Sequence, residues 1–104
     1  MSGPGLARTY SMSVVGIEVH LVDVDTYAGA GLVAFTLVGL LDTSVREARD
    51  RVRAAFESCG LDVLDQRITV NLSPAGIPKS GSVFDLAIAS SIALATGLVL
   101  PRAF

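Results

Sequence analysis

A strand, a loop rich in glycine and proline and a strongly apolar helix follow one another in residues 67–100, and this succession constrains the fold most. The β-forming segment Arg67–Leu72 leads into the loop Ser73–Gly81, and Leu86–Leu100 is rich in Ala, Ile and Leu. A strand that feeds a helix through a polar loop is a common position for functional residues in α/β proteins. The loop is therefore the first candidate for a functional site.

The size of the chain predicts one small domain, residues 1–104, with enough apolar residues (51%) to bury a core. The net charge of −2 gives no overall attraction to nucleic acid. Cys59 is the single cysteine, so no internal disulfide can form, and we expect this thiol in the core of a protein from a reducing compartment. Residues 1–8 lack the apolar stretch of a signal peptide, and 86–100 is too short to span a bilayer. We expect a cytoplasmic protein with no membrane role.

Three strands are predicted in the first part of the chain, at Ala7–Val15, Ile17–Tyr27 and Val33–Val38. The short links between them predict an antiparallel meander. The apolar alternation changes phase at Leu21-Val22, which predicts a β-bulge or a strong bend.

A helix follows, with Ser44 and Glu47 at the spacing of a capping box, although Asp42 or Thr43 could be the true cap. Gly60 is placed to end it. Its predicted core stripe consists of Val45, Ala48, Val52, Ala55, Phe56 and Cys59. After the fourth strand, Ser82 and Asp85 have the spacing of a cap and a first-turn acid for the second helix, which Gly97 ends. The order β-β-β-α-β-α predicts an α/β (α+β) two-layer sandwich.

The loop before the second helix has the glycine spacing of a phosphate-binding loop but not its lysine. Ser82 follows Gly81 where that motif has its lysine, and the loop's own lysine is Lys79. A Ser/Lys dyad is the other possibility, since Ser73, Ser80 and Ser82 lie near Lys79. The alternative to both is that the glycines and Pro78 only shape the backbone between the fourth strand and the second helix, a segment called the passage below. In that case Lys79 is solvated.

Other constellations are weak. His20 lies among strand residues, and nothing in the sequence places it with Asp85 or a serine as a triad. With one His, one Cys and no carboxylate cluster, the sequence predicts no metal site.

Arginines are concentrated on the first helix. Arg46, Arg49 and Arg53 fall at i, i+3 and i+7 and so share one flank beside the apolar stripe. This flank is either a solvated helix face or a contact surface for a neighbouring domain, a subunit or a nucleic-acid backbone. No aromatic residues interleave the arginines, so stacking on single strands has little support.

Three blocks of the sequence resemble a known family. They are similar to the N-terminal domain of magnesium-chelatase-like AAA+ ATPases, the ComM/YifB family, and comprise Phe35–Ala55, Arg67–Ala75 and Pro78–Ile88. The resemblance covers roughly residues 7–100. The chain departs from the family at Gly39-Leu-Leu41, where Gly-Leu-Pro is usual, and in residues 23–32.

The resemblance implies a Lon-protease-like fold, shared with domain 2 of a small-subunit ribosomal protein. Lon-like proteases carry their nucleophilic serine in a Pro-Lys-Asp-Gly-Pro-Ser pattern at this passage, and the corresponding position here is Val83. The partner lysine of those proteases would lie beyond Phe104. The resemblance therefore implies a domain that keeps the shape of the protease without its catalytic residues.

The resemblance also implies a role in a larger machine. Members of the family are similar to ring-forming ATPases that act on DNA, and ComM is associated with branch migration in natural transformation. We expect a non-catalytic domain that serves assembly, gating or DNA contact in a hexamer, with the AAA+ domain, its ATP and Mg outside this chain. Residual Lon-like serine peptidase activity through Ser80 or Ser82 and a stand-alone protein-interaction module are the alternatives. The candidate interaction residues are Arg46, Arg49, Arg53 and Lys79.

Overall fold

The fold is a four-stranded sheet with its helices on one face, seen in a computed structural model that describes residues 5–74, 76–79 and 83–98. The elements are, in chain order, β1 (Leu6–Val15), β2 (Glu18–Gly29), β3 (Ala34–Val38), α1 (Thr43–Arg46), α2 (Ala48–Ser58), β4 (Arg67–Ser73) and α3 (Asp85–Ala95). The predicted β-β-β-α-β-α order is confirmed, with the first helix split in two at Glu47. The mixed α+β class is confirmed as well.

The predicted antiparallel meander is wrong, because the strand order is β1-β2-β4-β3. β2 pairs antiparallel with both β1 and β4, whereas β3 pairs only with β4, and in parallel. Gly29 and Ala34 both lie beside Arg67, so the link 30–33 passes over the start of β4. Four residues suffice for this step, since two strand spacings amount to only about 9.6 Å.

The predicted bulge at Leu21-Val22 is also wrong. The β1–β2 register is continuous from Leu6 opposite Tyr27 to Val15 opposite Glu18. The apolar phase changes because the two faces of β2 are apolar in different parts: Val22 and Val24 are buried under the helices, while Val19 and Leu21 lie on the open face.

The core lies between the inner face of the sheet and the helices. Alternate residues of β2 and β4 point into it, as the two-residue period of a strand requires. The largest fully buried apolar side chains are Phe84, Ile68, Leu72, Ile88 and Ile92. The strongly apolar α3 supplies Ile88 and Ile92, and Phe84 is its N-cap.

The helix ends follow local sequence signals. Asp42, one of three possible caps in the sequence, is the N-cap of α1, and its carboxylate accepts a hydrogen bond from Val45 N at 3.0 Å. At the end of α2, Gly60 has a φ of +70° and Leu61 N donates to Phe56 O, as a glycine terminator allows. The predicted cap Ser82 lies outside the described residues.

Two members of the predicted core stripe are not buried. Val45, Ala48, Val52 and Phe56 are in the core, whereas Ala55 and Cys59 are exposed. Cys59 is the C-cap of α2, where the chain leaves the helix, so its side chain lies outside the packed layer. The prediction of a buried thiol is therefore wrong.

Candidate interaction site

Two arginines of the predicted flank meet the edge of the sheet in a shallow groove. Arg46 at the end of α1 and Arg49 in the first turn of α2 line a cavity of about 140 Å³ with Thr36 and Leu37 of β3. Both arginines are exposed, and neither forms an ion pair within the part of the chain that the structure describes. The groove thus presents two unneutralised guanidinium groups beside a polar threonine.

Arg53, the third arginine of the flank, is held differently. Its guanidinium carbon lies 5.8 Å from the centre of the Phe35 ring, within the range of a cation–π contact, and the residue is partly buried. The structure therefore brings Arg46 and Arg49 together at the groove and places Arg53 against the aromatic residue that anchors β3.

Arg51 points to the opposite side of α2. Its guanidinium donates to both carboxylate oxygens of Asp85 at 2.6 and 3.0 Å and to Ser44 O at 2.8 Å. The hydrogen bond to Asp85 is the main cause that raises the pKa of Arg51. This bidentate contact joins α2 to α3. It also shows that Asp85 acts as an ion-pair partner as well as a first-turn acid.

The sequence predicts Lys79 on an exposed loop, either as part of the interaction surface or simply solvated, but it is only 1% exposed. Its amine donates to the carbonyl oxygen of Pro74, the residue that follows the cis bond Ser73-Pro74. The backbone of Lys79 bonds to the β3–α1 connection, donating to Leu40 O and accepting from Asp42 N. Burial of the amine lowers the pKa of Lys79. Lys79 therefore belongs to the interior of the passage and is not part of the arginine groove.

The described part of the passage between β4 and α3 includes Val83 and Lys79. Val83, at the position that the resemblance assigns to the nucleophile, is 60% exposed and has no reactive group. The hydrogen bond of the Lys79 amine goes to a carbonyl oxygen, and none joins it to a serine of the described residues. Ser80 and Ser82 lie outside the described residues.

Among the described residues, no hydrogen bond or ion pair joins the His20 side chain to Asp85 or to a serine. His20 lies on β2 opposite Ser13, with its Nε2 3.5 Å from Glu18 Oε1 at the tip of the hairpin, and Asp85 is engaged by Arg51. No group of three or more His, Cys, Asp or Glu side chains that could hold a metal ion occurs among residues 5–74, 76–79 and 83–98. Within those same ranges, no helix is long and apolar enough to cross a bilayer.

Sequence reasoning missed the residues that complete these sites. From the sequence alone, Thr36 and Leu37 are recognisable only as strand residues, and Ser13 only as part of β1. In the structure Thr36 and Leu37 line the groove, and Ser13 Oγ donates to Pro78 O at 2.7 Å. These contacts join residues as much as 65 positions apart. Helical spacing does not report such pairings, because they depend on the order of the strands.

Comparison with known proteins gives the family. Residues 22–101 match the family described as subunit ChlI of Mg-chelatase, so the chain belongs to this Mg-chelatase family. Among its relatives, Competence protein ComM of Haemophilus influenzae is 44% identical over 91 residues, which are 88% of this chain and 18% of that protein. The YifB protein of Salmonella typhimurium is 37% identical over the same shares. An uncharacterized Mycobacterium tuberculosis protein is 42% identical over 87 residues, 84% of this chain and 17% of that protein.

These matches confirm the resemblance to the ComM and YifB proteins. The chain spans less than a fifth of the length of the curated relatives that it matches.

Proposed function

We propose that this chain is a non-catalytic, Lon-like N-terminal domain of a ComM-type ATP-driven DNA motor and that its arginine groove contacts the phosphate backbone of DNA. The observation that carries the proposal is the pair Arg46 and Arg49, exposed at one groove and free of any ion pair in the described chain. Guanidinium groups bind phosphate oxygens through paired hydrogen bonds, and Thr36 adds a hydroxyl donor.

The charge of the chain limits the strength of this contact. With a net charge of −2, the domain has no long-range attraction for DNA, so binding depends on the local pair of arginines. Two phosphate contacts give weak, salt-dependent and sequence-independent binding. Such a contact suits a domain that holds or gates DNA while a ring of AAA+ domains hydrolyses ATP and moves the DNA. In this proposal the ring is a hexamer, and those domains supply ATP and Mg²⁺ binding.

Val83 supports the proposal that this domain is not a catalytic one. A valine side chain cannot attack a carbonyl carbon, and it occupies the position that the protease pattern gives to serine.

Charge reversal tests the groove. We expect Arg46→Glu and Arg49→Glu each to weaken binding of a fluorescein-labelled branched DNA by about tenfold in anisotropy titrations. We also expect each to reduce the slope of log affinity against log salt by about one. Arg67→Glu is the matched control, since it makes the same charge change at an exposed arginine outside the groove. The triple reversal that includes Arg53 should abolish the binding.

The same charge reversals should be made in a full-length relative of this chain, and sedimentation should be used to measure whether its ring stays assembled. If the reversals leave DNA binding unchanged but dissociate its ring, the groove is an assembly surface. If neither property changes, the groove has no role in this function.

Residual peptidase activity is the alternative, and the buried amine of Lys79 favours it. A desolvated lysine with a lowered pKa is the type of base that a serine nucleophile needs. A serine-directed phosphonate should then label the protein at Ser80 or Ser82, and Lys79→Met should abolish the labelling. The non-catalytic proposal predicts no labelling of either protein.

A further inference from the structure

The outer edge of β1 carries the strongest feature that the proposed function leaves unused. β1 lies at one end of the strand order and pairs only with β2 in the described sheet. On the face away from the helices, its side chains Tyr10, Met12 and Val14 are 58%, 57% and 67% exposed. Val19 and Leu21 of β2, also exposed, lie opposite Val14 and Met12 and widen this apolar surface.

The hairpin turn determines which backbone groups point outward. Gly16, with a φ of +63°, and Ile17 form a two-residue turn flanked by Val15 and Glu18. The residues that flank such a turn form a hydrogen-bonded pair, and the pairs along an antiparallel ladder alternate from there. The odd-numbered residues of β1 thus bond to β2, and the N–H and C=O groups of Tyr10, Met12 and Val14 face the open edge.

Within the described residues, most of β1 lacks three usual protections of an edge strand. From Thr9 to Val15 the strand has no charge, no proline and no bulge. Arg8 is the one charged residue of β1, and its guanidinium lies across the open face on Asp25 at 2.5 and 3.0 Å and near Asp23 at 3.7 Å. A long, regular and uncharged edge of this kind favours pairing with another strand.

We propose that a second copy of this chain pairs with this edge, β1 against β1 in antiparallel orientation, about a two-fold axis at Ser11. Tyr10 of one copy then lies opposite Met12 of the other and exchanges both backbone hydrogen bonds with it. The pairing joins two four-stranded sheets into one of eight strands and makes the exposed apolar surfaces continuous.

Charge is compatible with this self-pairing. In this register Arg8 lies opposite Val14 of the other copy, so the two Arg8 positions are six residues, or about 20 Å, apart along the strand direction. That separation exceeds the screening length of about 8 Å at physiological salt, and each guanidinium is already neutralised by its own Asp25. No like charges therefore oppose one another along the new ladder.

Sedimentation velocity over a concentration series of the 104-residue chain tests the pairing. We expect a monomer–dimer equilibrium whose dissociation constant rises at least about tenfold in Met12→Pro, which removes an outward N–H from each copy without losing a β1–β2 bond. Met12→Thr keeps that N–H and removes only the apolar side chain, so its dissociation constant should rise less than about fivefold. A monomer at all concentrations up to about 1 mM overturns the proposal.

A cross-linking experiment remains informative if Met12→Pro does not fold. In a Cys59→Ser background, Ser11→Cys places two thiols at the two-fold axis, opposite each other in a non-hydrogen-bonded pair whose spacing suits a disulfide. Mild oxidation should give a covalent dimer. Val15→Cys, on the same face of β1 but about 26 Å from its symmetry mate, should give none. Equal cross-linking of both variants, or of neither, contradicts the proposed register.

Discussion

The two edges of the sheet are attached to the protein in opposite ways. β3 is five residues long and is anchored by an apolar plug, Phe35, which is buried in the core. β1 is ten residues long, buries no large apolar side chain and is tied down by hydroxyl groups instead. Thr9 Oγ1 donates to Ala87 O at 2.6 Å, and Ser13 Oγ donates to Pro78 O. An edge can thus be fixed to a core by packing or by directed hydrogen bonds.

The passage between β4 and α3 is bonded both to β1 and to the connection that follows β3. Ser13 of β1 holds it at Pro78, and the connection after β3 holds it at Lys79 through backbone bonds with Leu40 and Asp42. The neighbouring residues Pro78 and Lys79 therefore receive restraints from opposite edges of the sheet. Changes at either edge should be felt at the passage, but with different magnitudes.

The largest effect is expected from removing the plug of β3. Phe35→Ala leaves a cavity beneath the edge and removes the ring under Arg53, so we expect it to lower the free energy of unfolding by about 3–5 kcal/mol. Urea denaturation measures this loss, with the exposed neighbour Thr36→Ala as the control that should change it by less than about 0.5 kcal/mol. Similar losses in the two variants would show that packing does not anchor this edge.

A smaller effect is expected from removing one hydroxyl of β1. Ser13→Ala leaves the Pro78 carbonyl oxygen without its hydrogen-bond donor, so we expect a loss of about 1 kcal/mol in the free energy of unfolding. Ser11→Ala, two residues away on the same face, is the matched control and should be close to neutral. If Ser13→Ala costs as much as Phe35→Ala, the contrast between the two edges is wrong.

The smallest effect near neutral pH, and the one that depends on pH, is expected at Lys79. Because burial lowers its pKa below the ordinary lysine value of 10.5, the unfolded chain binds the proton more tightly than the folded one. The penalty is fully present below the folded pKa and disappears as the pH rises toward 10.5, so stability should rise with pH in that window. Lys79→Met lacks this titration. Between pH 7 and 10, the free energy of unfolding of wild type should therefore increase relative to that of Lys79→Met. Parallel pH profiles for the two proteins would contradict a buried, protonated amine.

Local patterns in the sequence were sufficient to find the elements. Apolar periodicity located four strands and the helices, and Asp42 and Gly60 were identified as possible ends because capping depends on neighbouring residues. The pairing of β3 with β4 could not be found in this way, because strand order is decided by packing between distant segments. The phase change at Leu21 was misinterpreted because an apolar open face has the same sequence signature as a shifted strand.

The candidate site was predicted in part for the same reason. Helical spacing placed Arg46 and Arg49 on one flank, and the structure shows them at one groove. The burial of Lys79 was missed, because a lysine among glycines, prolines and serines has the composition of a solvated loop. Its partners, Pro74 O and the Leu40 backbone, are main-chain groups that no side-chain motif records.

The hydroxyl ties of β1 have a consequence for synthesis on the ribosome. Thr9 bonds to a carbonyl 78 residues later, and Ser91 donates back to Ala7 from 84 residues away. The hairpin ends at Gly29 and the helix that covers it ends at Ala95, 66 residues later, so at translation rates of about 5–20 residues per second the hairpin emerges roughly 3–13 s before the helix. During that interval the inner residues of the hairpin, such as Val22 and Val24, lack the helix that buries them in the folded domain.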